Sequence, residues 1–470
     1  MISYEDDKLR EECGVFGIFD KEADNLSNLT YFGLVALQHR GQESAGIAIR
    51  SGNAINYHKG MGLVQEVFDA QKLMGLAGDI AIGHVRYSTT GESHLANAQP
   101  LVVRFRGGSI ALAHNGNLVN AYEIRNELEK SGTIFQTSID SEVIANLIAI
   151  EYDGDIKEAV LKTVKRIKGA YGLVVIFNDK LIGIRDPNGL RPLVLGKTET
   201  GYVIASETAA LDVIGAELVR DIQKGEMVII DDNGVETFVF DDTQRKSICA
   251  FEYVYFARPD SIMDTKNVYN TRYTAGRILA RQQPVDADIV IAVPDSGIPA
   301  AIGFANEAGI RYEVGLIKNK YMGRTFIQPD QKVRELAVRL KLNVLKDNIR
   351  GKRLVLIDDS IVRGTTSKRI INMLREAGAK EVHVRVSSPP VMHSCYFGID
   401  TPSKKQLVGS NNTVEEIRKM IGADSLGYIS IDGLVESIGK GYERLCIACF
   451  NGEYPMPVPM SGKKYIFEKM

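Results

Sequence analysis

The sequence predicts two catalytic-sized units in tandem: an α+β layered domain over residues 13–243, then an α/β domain with a mainly parallel sheet over residues 244–470. Three observations carry this. Up to about residue 240, short β-rich runs outnumber helical periodicities. Beyond about 250, strand and helix alternate, the rhythm of a parallel sheet. Within that second part, Leu354-Val355-Leu356-Ile357 reads as a buried strand running into an acidic pair, Asp358-Asp359.

In chain order, residues 1–12 (MISYEDDKLREE) are an acidic, polar appendage, the opposite of a secretory signal. Cys13 to Phe19 is the first strand. Thr30–Leu37 and Asp140–Ile150 are amphipathic helix candidates, and Gly172–Phe177, Leu193–Leu195, Tyr202–Ala205 and Met227–Ile230 are strands. Asp231-Asp232-Asn233-Gly234 and Asp241-Asp242 mark turns near the boundary. Then come a strand over Asp288–Val293, a helix over Pro299–Ala308 and a further strand over Tyr312–Ile317. After Leu354–Ile357, the residues Ile370, Met373, Leu374 and Ala377 recur at i, i+3, i+4, i+7, a helix, and Val382–Val386 is a strand again. Residues 318–343 are basic (Lys318, Lys320, Arg324, Lys332, Arg334, Arg339, Lys341), which suits a solvated face or a cover over an anionic substrate.

Composition excludes several classes. Of 470 residues 44% are apolar and 25% charged, ordinary for a globular protein. A net charge of −2 offers no electrostatic case for nucleic acid. No apolar run approaches the roughly 18 residues of a membrane span, so the cytoplasm is the default. Five cysteines, at 13, 249, 395, 446 and 449, are not a disulfide framework there. Setting Cys13 aside, Cys249, Cys395 and the Cys446-x-x-Cys449 pair suit zinc or an iron–sulfur cluster equally, and spacing does not choose.

The stretch 354–366 carries chemistry of its own. Ligands of parallel sheets bind where strands end and helices begin. Backbone N–H groups at Arg363, Gly364, Thr365 and Thr366 lie near a helix start and can hold a phosphate. Asp358 and Asp359 can accept from sugar hydroxyls or flank magnesium. A ligand with both a sugar and a phosphate fits.

This string resembles the phosphoribosyl diphosphate (PRPP) signature of type I phosphoribosyltransferases, and its Arg-Gly-Thr-Thr ending resembles the amidophosphoribosyltransferase family. Cys13, with His39–Gly46, Gly83–Gly91, His114-Asn115-Gly116-Asn117 and Ser138–Glu142, resembles the class II glutamine amidotransferases, whose nucleophile is the chain's first residue. The physical logic is sound: a Cys attacking an amide needs a base, and an α-amino group with a pKa of about 7.7–8.0 supplies one.

The resemblance implies a propeptide, residues 1–12, cut between Glu12 and Cys13. It implies an oxyanion hole from the Asn115 side chain and the Gly116 N–H, with Arg86 and Asp140 holding the glutamine carboxylate and amino group. Asp295, Ser296 and Gly297 would form the pyrophosphate loop, Ser360 and 363–366 the rest of the PRPP site, and Ser296, Asp358 and Asp359 the magnesium positions. It chooses a 4Fe-4S cluster for Cys249, Cys395, Cys446 and Cys449, because one branch carries cluster and propeptide together. It also implies purine nucleotides as inhibitors and a homotetramer. The activity so implied converts PRPP, glutamine and water to 5-phosphoribosylamine, glutamate and diphosphate. Phe251–Ser261 matches the family too, and suits a dry passage or an ordinary domain interface. Two other readings stand beside this one: a different class II amidotransferase, against which the Asp358-Asp359 strand end speaks, and a non-catalytic, nucleic-acid-binding PRPP-sensing regulator, which a strongly basic face and a degraded glutaminase would favour; neither is visible.

Overall fold

The computed structural model describes residues 13–87, 93–319 and 342–459. The presumed propeptide, the end of the Gly83–Gly91 segment and most of the basic stretch lie outside them.

The first half is four layers, helices–sheet–sheet–helices. One antiparallel sheet has seven strands, edge to edge Glu217–Asp221, Val194–Lys197, Tyr202–Ala205, Gly14–Phe19, Ile80–Arg86, Ser44–Ser51 and Ala54–Met61. The other has six: Gly234–Val239, Glu226–Asp231, Lys180–Arg185, Gly169–Phe177, Gly108–Leu118 and Leu101–Phe105. The first strand shows why they stack. Its side chains alternate between faces, so Val15 and Phe19 enter the core between the sheets while Phe16 and Ile18 enter the core under the helix Leu26–Ala36. Gly17 lets the sheets approach, since a Cβ there would lie 2.5 Å from Val174 Cγ1. The six-stranded sheet is covered by Ala121–Lys130, Ser141–Glu151 and Ile156–Arg166.

The second half is built on a four-stranded, all-parallel sheet: Ile289–Ala292, Arg353–Asp358, Glu381–Val386, Ser425–Tyr428. Leu354 and Leu356 face one core with the helices Thr365–Glu376 and Val414–Ile421; Val355 and Ile357 face the other with Val268–Gln282, Ile298–Ala308 and Ile431–Ile438. Burial on both faces is why the strand reads as an unbroken aliphatic run.

The tandem fold classes agree with the sequence; two elements differ. The first helix begins at Leu26 rather than Thr30, because Leu26 and Ser27 are themselves buried. The strand expected over Tyr312–Ile317 does not join the parallel sheet. Tyr312 makes a single bridge to Val290, and Leu316–Lys318 turns away to pair antiparallel with Leu342–Val344. Of its apolar residues only Leu316 is buried, while Val314 and Ile317 are exposed, so two-sided burial is missing there.

Candidate active sites

Cys13 stands at the head of the strand Gly14–Phe19, which places it at one end of the double sheet. It is buried, and its thiol donates to Tyr87 O at 3.6 Å. Burial pushes the thiol up to about 11, so at neutral pH it is protonated and needs a base before it can attack. Arg86, Glu43 and Asp140 lie within its electrostatic reach, and two of these are expected glutamine-site residues. The Arg86 guanidinium donates to Glu43 Oε1 at 2.6 Å. Glu43 was not singled out by sequence reasoning; the only signal was its place in the segment His39–Gly46.

The oxyanion candidates lie on Gly108–Leu118, a strand of the other sheet. Asn115 is wholly buried, and both polar atoms of its side chain lack a hydrogen-bond partner among the described residues. Such a group is costly to bury unless something comes to meet it. Gly116 has φ 145°, and a Cβ there would lie 2.0 Å from Ala170 O, so only glycine holds its N–H in this position. Asp140 accepts from Leu118 N at 2.9 Å and faces His114 Nδ1 at 3.6 Å. Burial pushes its carboxyl up, but His114 and the amides of Leu118 and Ser141 outweigh that and hold it below the usual range. His84 reaches His114 O at 3.0 Å and burial pushes it down to about 3, a neutral, structural histidine.

The second constellation forms at the carboxyl end of Arg353–Asp358. Asp358, Asp359 and Ser360 are all buried. The Asp359 carboxylate accepts from Ser360 Oγ at 2.7 Å and from Ser296 Oγ, which joins two loops that are far apart in sequence. Asp358 Oδ1 accepts from Asp359 N at 2.9 Å. The loop of Asp295 and Ser296 follows a cis peptide bond after Pro294, and it lies flat on the sheet: a Cβ on Gly297 would be 2.8 Å from Ile357 O. Gly297 caps the helix Ile298–Ala308, and Gly364, at φ 82°, caps Thr365–Glu376. Two helix N-termini, with Arg363, Thr365 and Thr366 beside one of them, thus open on one strand-end crevice, where their amides favour an anion. Lys318, a described member of the basic stretch, donates to Asp295 Oδ2 at 3.0 Å.

The four remaining cysteines gather at the junction of the halves. Cys249 and Cys446 are register partners in a short parallel pair of strands. Cys449 O accepts from Met392 N and His393 N, which brings the chain before Cys395 alongside. All are free thiols; each of Cys249, Cys395 and Cys446 lies in the field of Cys449, and burial pushes Cys249 and Cys446 up to about 12. Among the described residues no three His, Cys, Asp or Glu side chains stand close enough to hold a single ion.

Residues 84–213 match the description of a glutamine amidotransferase domain, and residues 270–388 that of a phosphoribosyl transferase domain. Amidophosphoribosyltransferase of Archaeoglobus fulgidus is 51% identical over 451 residues, 95% of this chain and 98% of that protein. The Bacillus subtilis amidophosphoribosyltransferase is 50% identical over 455 residues, 96% and 95% of the two chains. The solved structure of glutamine PRPP amidotransferase from B. subtilis complexed with ADP and GMP superposes with a TM-score of 0.90 at 49% identity, covering 95% of this chain and 98% of that one. Relatives whose likeness runs through both halves leave one assignment: the chain belongs to the amidophosphoribosyltransferase family.

Proposed function

We propose that this chain makes 5-phosphoribosylamine in two coupled steps, one at each site. The observation that carries the reading is the Asn115 amide, buried and unpartnered among the described residues, next to a Gly116 N–H fixed by the backbone. In the first step a base takes the Cys13 proton and sulfur attacks the glutamine carboxamide carbon. Asn115 and Gly116 receive the oxyanion, ammonia leaves, and water hydrolyses the thioester to glutamate. Arg86 and Asp140 hold the two charged ends of the amino acid. In the second step ammonia attacks the anomeric carbon of PRPP as diphosphate departs, with amides of 295–297 and 363–366 taking up the phosphates. Glutamate and diphosphate should form in equal amounts, a stoichiometry that one assay with glutamine and PRPP measures.

Magnesium suits the second site, where hard oxygens of Ser296, Asp358 and Asp359 meet. When bound it offsets the charge of the departing diphosphate. Cys249, Cys395, Cys446 and Cys449 would hold a 4Fe-4S cluster. The support is chemical: four free thiols gather at one junction, each of the others in the field of Cys449, and a cluster takes one thiolate on each iron. The reading includes a propeptide of residues 1–12, since only a chain beginning at Cys13 carries its own α-amino base, and a homotetramer, which rests on the family alone. Free thiols support a cytoplasmic setting.

One anaerobic preparation tests two of these points. Its intact mass should be that of a chain starting at Cys13, and it should be brown with about four irons per chain. Cys446→Ser should lower the yield of soluble protein. Full activity in a chain still starting at Met1 would sink the base assignment, and stoichiometric zinc without iron the cluster.

The relative solved with ADP and GMP supports purine nucleotides as inhibitors. They present the ribose and 5′-phosphate that residues 358–366 are built to take. AMP, ADP, GMP and GDP should raise the apparent KM for PRPP. An unchanged rate at millimolar nucleotide and low PRPP would contradict this.

A further inference from the structure

Neither step uses a cluster of fully buried charges at the junction of the halves. Arg40, Glu207 and Glu252 have side chains with no exposed surface. Glu252 lies past the boundary, at the start of the π-helical turn Glu252–Phe256. Its carboxylate accepts from Arg40 Nη2 at 2.5 Å and Nη1 at 3.3 Å. Glu207 takes the other edge of the same guanidinium through Nε, and also accepts from His39 Nε2 at 2.7 Å. Its second oxygen accepts from Arg258 N at 2.9 Å and Ser261 Oγ at 2.6 Å, both in the second half. Arg272 fixes the turn by donating to Tyr253 O at 2.8 Å and Ala257 O at 2.7 Å. A guanidinium gripped on two edges by two carboxylates has one orientation.

What that orientation holds is the nucleophile's surroundings. The Arg40 stem passes against Gly14, the neighbour of Cys13: a Cβ on Gly14 would be 3.4 Å from Arg40 Cδ. The next residue, Gly41, is pressed on the strand bearing Arg86, where a Cβ would be 2.6 Å from Arg86 N. We infer that Glu252 is a positioning residue of the glutaminase, supplied by the phosphoribosyl half, which with Glu207 clamps Arg40 against the backbone beside Cys13. The glutamine site is therefore complete only when the second half is docked. The inference rests on Cys13 being the glutaminase nucleophile.

The test uses the full chain with Glu252→Gln, isosteric but uncharged, and Glu252→Asp, charged but shorter. Glutamine hydrolysis and ammonia-dependent synthesis are measured on each. Misplacing the nucleophile without touching glutamine contacts lowers kcat, so Glu252→Gln should lose about tenfold or more in kcat for hydrolysis with KM for glutamine little changed. Glu252→Asp should recover part of it, and ammonia-dependent synthesis should persist in both. If Glu252→Gln does not give soluble protein, Arg40→Lys, which keeps the charge but loses the two-edged grip, should show the same split. A kcat within twofold of the parent chain, or equal losses in both reactions, overturns the clamp. Cys13→Ala run alongside separates the failures: hydrolysis surviving in that variant overturns the nucleophile assignment itself.

Discussion

Cys13→Ala should abolish glutamine-dependent synthesis while leaving synthesis from free ammonia in place. The substitution removes the sulfur but little volume at a buried position, so the strand Gly14–Phe19 and both sheets should stand. What is lost is the thiol that forms the bond to the glutamine carboxamide. In enzymes whose nucleophile acts as one unit with its base, deletion costs on the order of 10⁶ in kcat. The phosphoribosyl site draws nothing from the thiol; its groups sit on loops at the end of a separate sheet. Ammonia must shed a proton from ammonium first, so the surviving reaction should speed up as pH rises. In the parent chain glutamine hydrolysis should rise with pH as well, levelling once the α-amino base, with a pKa of about 7.7–8.0, has lost its proton. Glutamate and diphosphate release, each with glutamine and with ammonium salt, is the measurement. Equal loss of both reactions in Cys13→Ala would break the division of labour.

How much of this was legible in the sequence depended on the range of the interaction. The parallel sheet was legible because burial on both faces forces an aliphatic run, and Leu354–Ile357 is one. The acidic pair at its end was legible because the chain places Asp358 and Asp359 side by side. The proposed glutamine site was legible only through family resemblance, since Cys13, Arg86 and Asn115 come from strands of two sheets or their ends and Asp140 from a helix N-cap, and no periodicity links them. Pairings across the domain boundary left no trace. Arg40 meets Glu252 over 212 positions of chain, and Asn117 donates to Tyr396 O over 279. A charged residue in a turn looks solvated until the fold buries it. Tyr312–Ile317 failed for the converse reason: its composition suits a strand, but which sheet it joins is set by packing that its own residues do not encode.

Asp359→Ala should do the opposite damage to Cys13→Ala. In the folded chain this carboxylate is fully buried and is the knot between two loops, accepting from Ser360 on its own loop and from Ser296 on the pyrophosphate loop. Removing it leaves two hydroxyls without their acceptor, a cost of about 1–3 kcal/mol each where they stay dry. That is tolerable for a domain with this much buried apolar surface, so the protein should still fold. The loops should not keep their spacing, though, and the charge proposed to face the ribose and magnesium is gone. Synthesis should then fall by about a hundredfold or more with glutamine and with ammonia alike, the scale on which loss of one fixed electrostatic group is felt. Asp359→Asn, which keeps the shape and can still accept from one serine, should separate the two contributions: recovered stability with synthesis still low places the effect on charge. Basal glutamine hydrolysis should persist, because Cys13, Asn115 and Gly116 are untouched, but it should respond only weakly to added PRPP. If Asp359→Ala makes phosphoribosylamine from ammonia at near the parental rate, the strand-end crevice is not where PRPP reacts.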